Sequence, residues 1–150
     1  MKRFKFNLES VLKYRESIER QEKGILSGLN AELANLLNER EKLNGDYRQT
    51  IDEFERISLE GISVNEIRSR HALMENIEFY IAKKTKEIEE QRLKISKQTA
   101  IVVRAMRDTK TMDRLKEIKY EEYVKSENKT QERFIEEFVA HQEFSKKIKN

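Results

Sequence analysis

Few residues in this chain are placed to do chemistry. His71 and Glu75 stand one helical turn apart, a spacing from which two side chains can reach one metal ion. Two ligands do not make a metal centre, because a zinc site needs three or four protein donors. An ion pair on a helix surface accounts for the same spacing. His141 falls on an apolar stripe with Phe134 and Phe138, where an imidazole is expected to pack half-buried rather than to catalyse. Carboxylate pairs are numerous, but acid–base work needs an enclosed pocket that shifts a pKa, and a pair of long helices encloses none. There is no glycine-rich phosphate loop, no GKS or GKT and no HExxH. The absence of cysteine removes thiolate metal sites and disulfides, and fits a cytosolic chain. The expectation is a protein with no catalytic residue, no metal and no cofactor.

What remains is patterned charge and apolar surface. From Gln91 to Arg107 the chain carries five bases and no acid: Arg92, Lys94, Lys97, Arg104 and Arg107. Residues 83–125 hold 13 bases and 8 acids, whereas residues 1–61 hold 11 and 12. A solvated helix face, balanced by glutamates of a neighbouring helix, explains this run. Contact with an acidic protein surface explains it as well. Nucleic acid is not an expected partner, because no aromatics interleave the bases and a net charge of +3 is small for phosphate binding.

The elements that carry these residues are helices. Of 150 residues 39% are charged and 37% apolar, with no proline and four glycines, and the apolar residues recur at helical spacing rather than scattering as in a disordered chain. Positions 26, 29, 33, 36, 40, 43, 47, 50, 54 and 57 alternate by three and four, and all but Arg40 and Thr50 are apolar or aromatic, which is a coiled-coil seam. Upstream, Leu8 and Leu12 fit one register while Val11, Tyr14, Ile18 and Ile25 fit another, so a stutter is expected near Ile25. Gly24 and Gly28 mark this part as soft, each costing about 1 kcal/mol against alanine. Asn7 is the expected N-cap, with Phe6 and Val11 as a hydrophobic staple.

The stretch ISLEGISVNEIR, residues 57–68, stops one helix and starts another. Gly61 can adopt the left-handed conformation that ends a helix. Ser63 with Glu66 forms a capping box, and Ile62 with Ile67 a second staple. One coiled-coil domain over 1–150 follows, with helix 1 at about 7–58, a turn at 59–63 and helix 2 at about 64–145. A short tip helix, with a break near residue 70, stays open. In helix 2, Ile67, Met74, Ile81, Ile88, Ile95 and Val102 fall at strict seven-residue intervals. Their partners in the heptad, Arg70, Ile77, Lys84, Gln91, Gln98 and Ala105, are mostly polar, which suggests marginal stability or a helix that also meets something else. Leu73, Ile77, Phe79 and Tyr80 cannot all face inward, so either a partner or a tip helix covers some of them. At 1.5 Å per residue the helices reach roughly 80 Å and about 120 Å, pairing residue 8 with one near 115 and leaving the last ~30 residues overhanging. No apolar run approaches the ~20 residues of a membrane span, and the basic amino terminus MKRFKFNLESVL lacks a signal core and is expected to be retained.

The opening FKFNLESVLKYRESIE, the corner LEGISVNEIRSRHALMENIEFYI and the downstream TKTMDRLKEIKYEEYVKSENKTQERFIEEF, in that order, resemble the flagellar export protein FliJ family. In the last stretch Leu115, Lys116, Glu117, Tyr123, Glu132, Ile135, Glu136 and Glu137 occupy the family's pattern of a Leu-Lys-Glu stretch, an aromatic and an acidic end. The likeness spans nearly the whole chain. It implies an all-α, antiparallel two-helix coiled coil resembling the central stalk of rotary ATPases. Its implied role is to enter the ring of the export ATPase hexamer, to couple that ring to the export gate membrane protein, and to escort substrate chaperones. The implied setting is cytoplasmic, as a monomer peripheral to the inner membrane at the flagellar base. On this resemblance, Phe4, Phe6, Leu8, Val11 and Tyr14, with Leu115, Tyr123, Phe134 and Phe138, contact the ATPase ring. Arg92, Lys94, Lys97, Arg104 and Arg107 lie along the shaft, and Leu73, Ile77 and Tyr80 face the gate. A stalk also gives the polar seam a reason, since an axle that turns against several subunits must not stick to one. A virulence type III secretion stalk and a self-associating coiled-coil scaffold remain as other readings.

Overall fold

The turn sets the architecture. In the computed structural model, which describes residues 3–148, α1 spans Glu9–Glu60 and α2 spans Val64–Ile148, and the chain is an all-α helical hairpin. Gly61 sits at φ 96°, where a side chain would be strained, so a glycine ends α1 there. Ser63 then caps α2. Its hydroxyl lies 3.3 Å from the Glu66 N–H, the Glu66 carboxylate accepts the Ser63 N–H at 3.0 Å, and the Ser63 carbonyl accepts the Ile67 N–H at 3.1 Å. These bonds hold the Glu66 carboxyl below its ordinary range. No separate tip helix forms, because α2 runs unbroken from Val64 through residue 70.

The chain divides into two compact units. One comprises residues 20–103, the other residues 1–19 with 104–150. In the first, α1 and α2 run antiparallel, and every seam position read from the sequence in either helix is buried or half-buried. Ile88 is the most deeply buried residue, at 1% exposure. The polar heptad positions also face inward, each with a partner on α1. Gln91 is buried, and its amide donates to the Leu29 carbonyl at 3.0 Å and to the Glu32 carboxylate at 2.9 Å. Gln98, seven residues on, repeats this against the carbonyl and carboxylate of Glu22. Lys84 pairs with Glu39 at 2.6 Å and with Glu87 at 3.0 Å, which raises its pKa, and Arg70 approaches Glu53 at 3.6 Å. Thr50 is buried because its hydroxyl donates to the Asp46 carbonyl one turn back. Among the described residues no buried side-chain nitrogen or oxygen lacks a partner. The axle explanation of the polar seam is therefore overturned: Lys84, Gln91 and Gln98 are engaged by α1, not offered to a ring.

The stutter is absent too. Leu12, Glu19, Leu26, Leu33, Arg40, Tyr47 and Phe54 are spaced by seven and all face inward, so one register runs through Glu19. Ile25 lies one residue away, rotated by about 100°, and is exposed. A side chain added at Gly24 or Gly28 would meet nothing within 4 Å, so neither glycine serves close helix approach.

In the second unit α1 begins one residue later than the cap expected at Asn7. The Leu8 carbonyl accepts the first helical bond, from Leu12 N–H at 3.0 Å, and the Phe6 carbonyl accepts from Glu9 N–H at 3.2 Å. Phe6 and Leu12 are withdrawn from water, while Val11 is exposed, so the expected staple of Phe6 with Val11 is replaced by the face that carries Leu12. Glu9 bonds Lys116 at 2.8 Å and Arg15 meets Asp108 at 3.3 Å, close to the pairing expected from the turn.

Candidate protein-docking surfaces

Before α1 begins, residues 3–6 run without helical structure beside α2. Phe4 lodges there between two tyrosines that share a face of α2 three residues apart. Its ring centroid lies 5.2 Å from Tyr120, edge-on at 79°, and 5.5 Å from Tyr123. Next to these rings is a cleft of about 820 Å³ lined by Phe4, Phe6, Leu8, Leu115 and Tyr123, with Lys119 and Glu122 among its polar residues. It brings together five of the nine residues assigned to the ring-contact end. Phe6 is buried and so shapes the floor instead of offering a free ring; burial is the reason it cannot itself be a surface contact. Val11 and Tyr14 are exposed on α1 and do not line the cleft.

Phe134 and Phe138 lie elsewhere on α2. From residue 128 to 148 every residue is exposed, and Phe134 is 69% exposed. His141 belongs to this stretch and is exposed, not half-buried, with Ser145 at 3.4 Å as a polar neighbour. Tyr120 and Lys119 were not among the assigned contact residues; the three-residue spacing of Tyr120 and Tyr123 was the signal for the first.

In the other unit, the exposed cluster after the turn is Leu73, Phe79 and Tyr80, with the last two rings edge-on at 5.6 Å. Ile77 is 9% exposed and sits in the seam, which corrects its assignment as a surface contact: it is a d position, turned toward α1. His71 packs at 6.4 Å from the Phe54 ring, and among the described residues no group of three or more His, Cys, Asp or Glu could hold a metal.

Arg92, Lys94, Lys97, Arg104 and Arg107 are all exposed on α2. None forms an ion pair among the described residues, although Arg70, Lys84, Arg114, Lys116 and Lys119 do. The run is thus a solvated face of α2 without a direct ion pair to α1 among the described residues.

Among the described residues no helix is long and apolar enough to cross a membrane. No curated protein and no solved structure gives a significant match to the chain. The family model described as "Flagellar FliJ protein" matches residues 4–148, nearly the whole sequence. Its span takes in the aromatic opening, the Gly61 turn and the exposed carboxyl-terminal helix alike, and the hairpin described above is the fold that the resemblance implied. The chain belongs to the flagellar FliJ protein family, whose members are non-catalytic components of the flagellar export apparatus.

Proposed function

We propose that this chain is the stalk of the export apparatus, entering the export ATPase ring by its paired termini and meeting the export gate with the surface beside its turn. The aromatic cleft carries the reading. An apolar concavity lined by Phe4, Leu8, Leu115 and Tyr123, with charged residues at its edge, is built to receive apolar side chains of another protein. The exposed Phe134 and Phe138 extend the apolar surface available to that partner. Near the turn, Leu73 and Tyr80, with Phe79, form the gate-facing contact, and Ile77 supports them from the seam. Escort of substrate chaperones belongs to the same proposal, as do a cytoplasmic setting at the inner membrane, the absence of a nucleic-acid partner and a single working copy.

The experiment is to titrate the purified chain into the export ATPase and read both ATP hydrolysis and ring formation. Stimulation that saturates with fewer chains than ATPase subunits supports a stalk. Phe4→Ala with Tyr123→Ala should abolish it, while Leu73→Ala with Tyr80→Ala should preserve it and weaken binding to the gate's cytoplasmic domain. Absence of binding and of stimulation would sink the reading.

A further inference from the structure

The segment that precedes α1 sorts its side chains by chemistry. Across residues 3–6 burial alternates: Arg3 and Lys5 are exposed, Phe4 is half-buried and Phe6 is buried. No helix forms there, so the rings are withdrawn beside α2 while the bases between them stay in water. All four residues line the aromatic cleft with Leu115 and Tyr123. The cleft therefore has an apolar floor and positive charge at its rim.

That charge is uncompensated. Lys119 also lines the cleft, but Glu122, the acid among the described lining residues, holds it at 2.8 Å. Lys116 nearby is held by Glu9. Arg3 and Lys5 enter no ion pair among the described residues. A separate hollow, lined by Phe4 and Tyr120, holds Asp113 and Glu117 with Lys116, and is not part of the cleft.

We propose that the cleft receives a protein segment in which apolar side chains stand next to carboxylates, the apolar groups seated on Phe4, Leu8, Leu115 and Tyr123 and the carboxylates on Arg3 and Lys5. This rests on the stalk reading and adds to it the chemistry that the ATPase ring must offer at this end. At about 820 Å³ the cleft is in the size range of ligand pockets, with room for more than one apolar side chain. Charge selects the occupant. A basic segment would set like charges together at the rim, which lowers affinity. An acidic segment gains charge-assisted hydrogen bonds, and no acid of this chain has to release Arg3 or Lys5 first. The Arg3 guanidinium can donate two parallel N–H bonds to one carboxylate, and Lys5 adds a point charge. Apolar seating then supplies most of the affinity, while the bases set orientation and speed the encounter.

Binding of the full chain to the export ATPase, measured with association rates at low and high salt, tests this. Arg3→Glu with Lys5→Glu should weaken binding roughly tenfold at low salt, chiefly by slower association, and the difference should shrink at high salt. Arg3→Gln with Lys5→Gln should fall between this variant and the wild type. Both should keep wild-type helicity by circular dichroism and wild-type hydrogen-exchange protection at residues 9–16, so that a lost charge is not mistaken for a lost fold. Lys13→Glu with Lys110→Glu alters net charge equally at exposed bases outside the cleft, and should bind as the wild type does. If the wild type fails to bind the ATPase, the stalk reading falls and this inference with it. If the wild type binds and the Arg3 and Lys5 reversals bind equally well, the inference alone falls. A matching loss in the Lys13 and Lys110 variant also overturns it, because net charge rather than the cleft would then govern the encounter. So does binding of the wild type, but not of the Arg3 and Lys5 reversals, to vesicles containing anionic lipid with ATPase affinity unchanged, which assigns the bases to a membrane surface.

Discussion

In the unit formed by residues 20–103, polar side chains fill much of the heptad seam: Gln91, Gln98, Lys84 and Arg70 each reach across to α1. In the unit of residues 1–19 and 104–150, the buried contacts are rings and aliphatic carbons, with Phe6 and Leu12 buried and Phe4 set against Tyr120 and Tyr123, while the ion pairs of Glu9 with Lys116 and Arg15 with Asp108 lie at the edge. The two solutions differ in what they secure. A hydrogen bond is directional, and each contributes about 1 kcal/mol net, so a ladder of amides specifies which residue faces which while adding little stability. Apolar burial is larger per side chain and indifferent to direction. The first unit is thus built for register, the second for fastening the amino-terminal segment to α2.

Four changes break or sharpen this contrast. The largest effect is expected for Leu12→Ala, which removes a buried side chain from the terminal unit at a cost of about 3 kcal/mol. Thermal unfolding should show it as a lower midpoint, with protection from hydrogen exchange lost first around residues 9–16. Gln91→Leu with Gln98→Leu should act in the opposite sense. The Leu29 and Glu22 carbonyls keep their helical bonds and the freed Glu32 carboxylate turns to water, so stability should rise by about 1 kcal/mol per site and the melting midpoint with it. If both changes lower the midpoint, the amides hold more than register. Gly24→Ala and Gly28→Ala come next, each stabilising by roughly 0.5–1 kcal/mol because the new carbon meets open space. The smallest effect is local and set by pH. The Glu66 carboxyl is held below its ordinary value of 4.5 by the donating N–H and hydroxyl of Ser63. Its contribution to the cap is complete above that value and fades as pH falls through the lower folded-state pKa. Amide exchange at Val64–Ile67 should quicken on acidification in the wild type, and should already be fast in Glu66→Ala.

Much of this molecule was legible in its sequence, for physical reasons that can be named. The ten seam positions from Leu26 to Ile57 face inward because a period of three and four admits one buried stripe. The turn was legible because Gly61, Ser63 and Glu66 are the residue types that backbone geometry demands at those places. The errors arose where a polar residue occupied an apolar position. Glu19 and Glu22 hid the continuity of the α1 register, so half-buried Ile18 and exposed Ile25 suggested a stutter that does not exist. Gln91 and Gln98 looked like surface left over for a partner, because composition cannot show that a carbonyl seven residues away from another carbonyl awaits each amide. Ile77 shared a sequence neighbourhood with Leu73 and Tyr80, and only its packing against α1 separates it from them. Of the candidate docking surface, the aromatic residues were visible in advance, but the cleft they enclose depends on residues 3–6 lying beside Tyr120 and Tyr123.

The three-residue link between Glu60 and Val64 also governs how the hairpin assembles. Partners near it are close in sequence: Tyr47 and Glu78 are separated by 31 residues, Gln91 and Leu29 by 62, and Lys116 and Glu9 by 107. Closing a chain segment costs more entropy the longer it is, and each pair formed shortens the segment left for the next. Loop-closure entropy thus predicts folding that advances from Gly61 like a zip, with the aromatic clasp of Phe4 as its last event. A substitution at Phe4 should speed unfolding and leave the folding rate nearly unchanged, whereas one at Gly61 should slow folding itself.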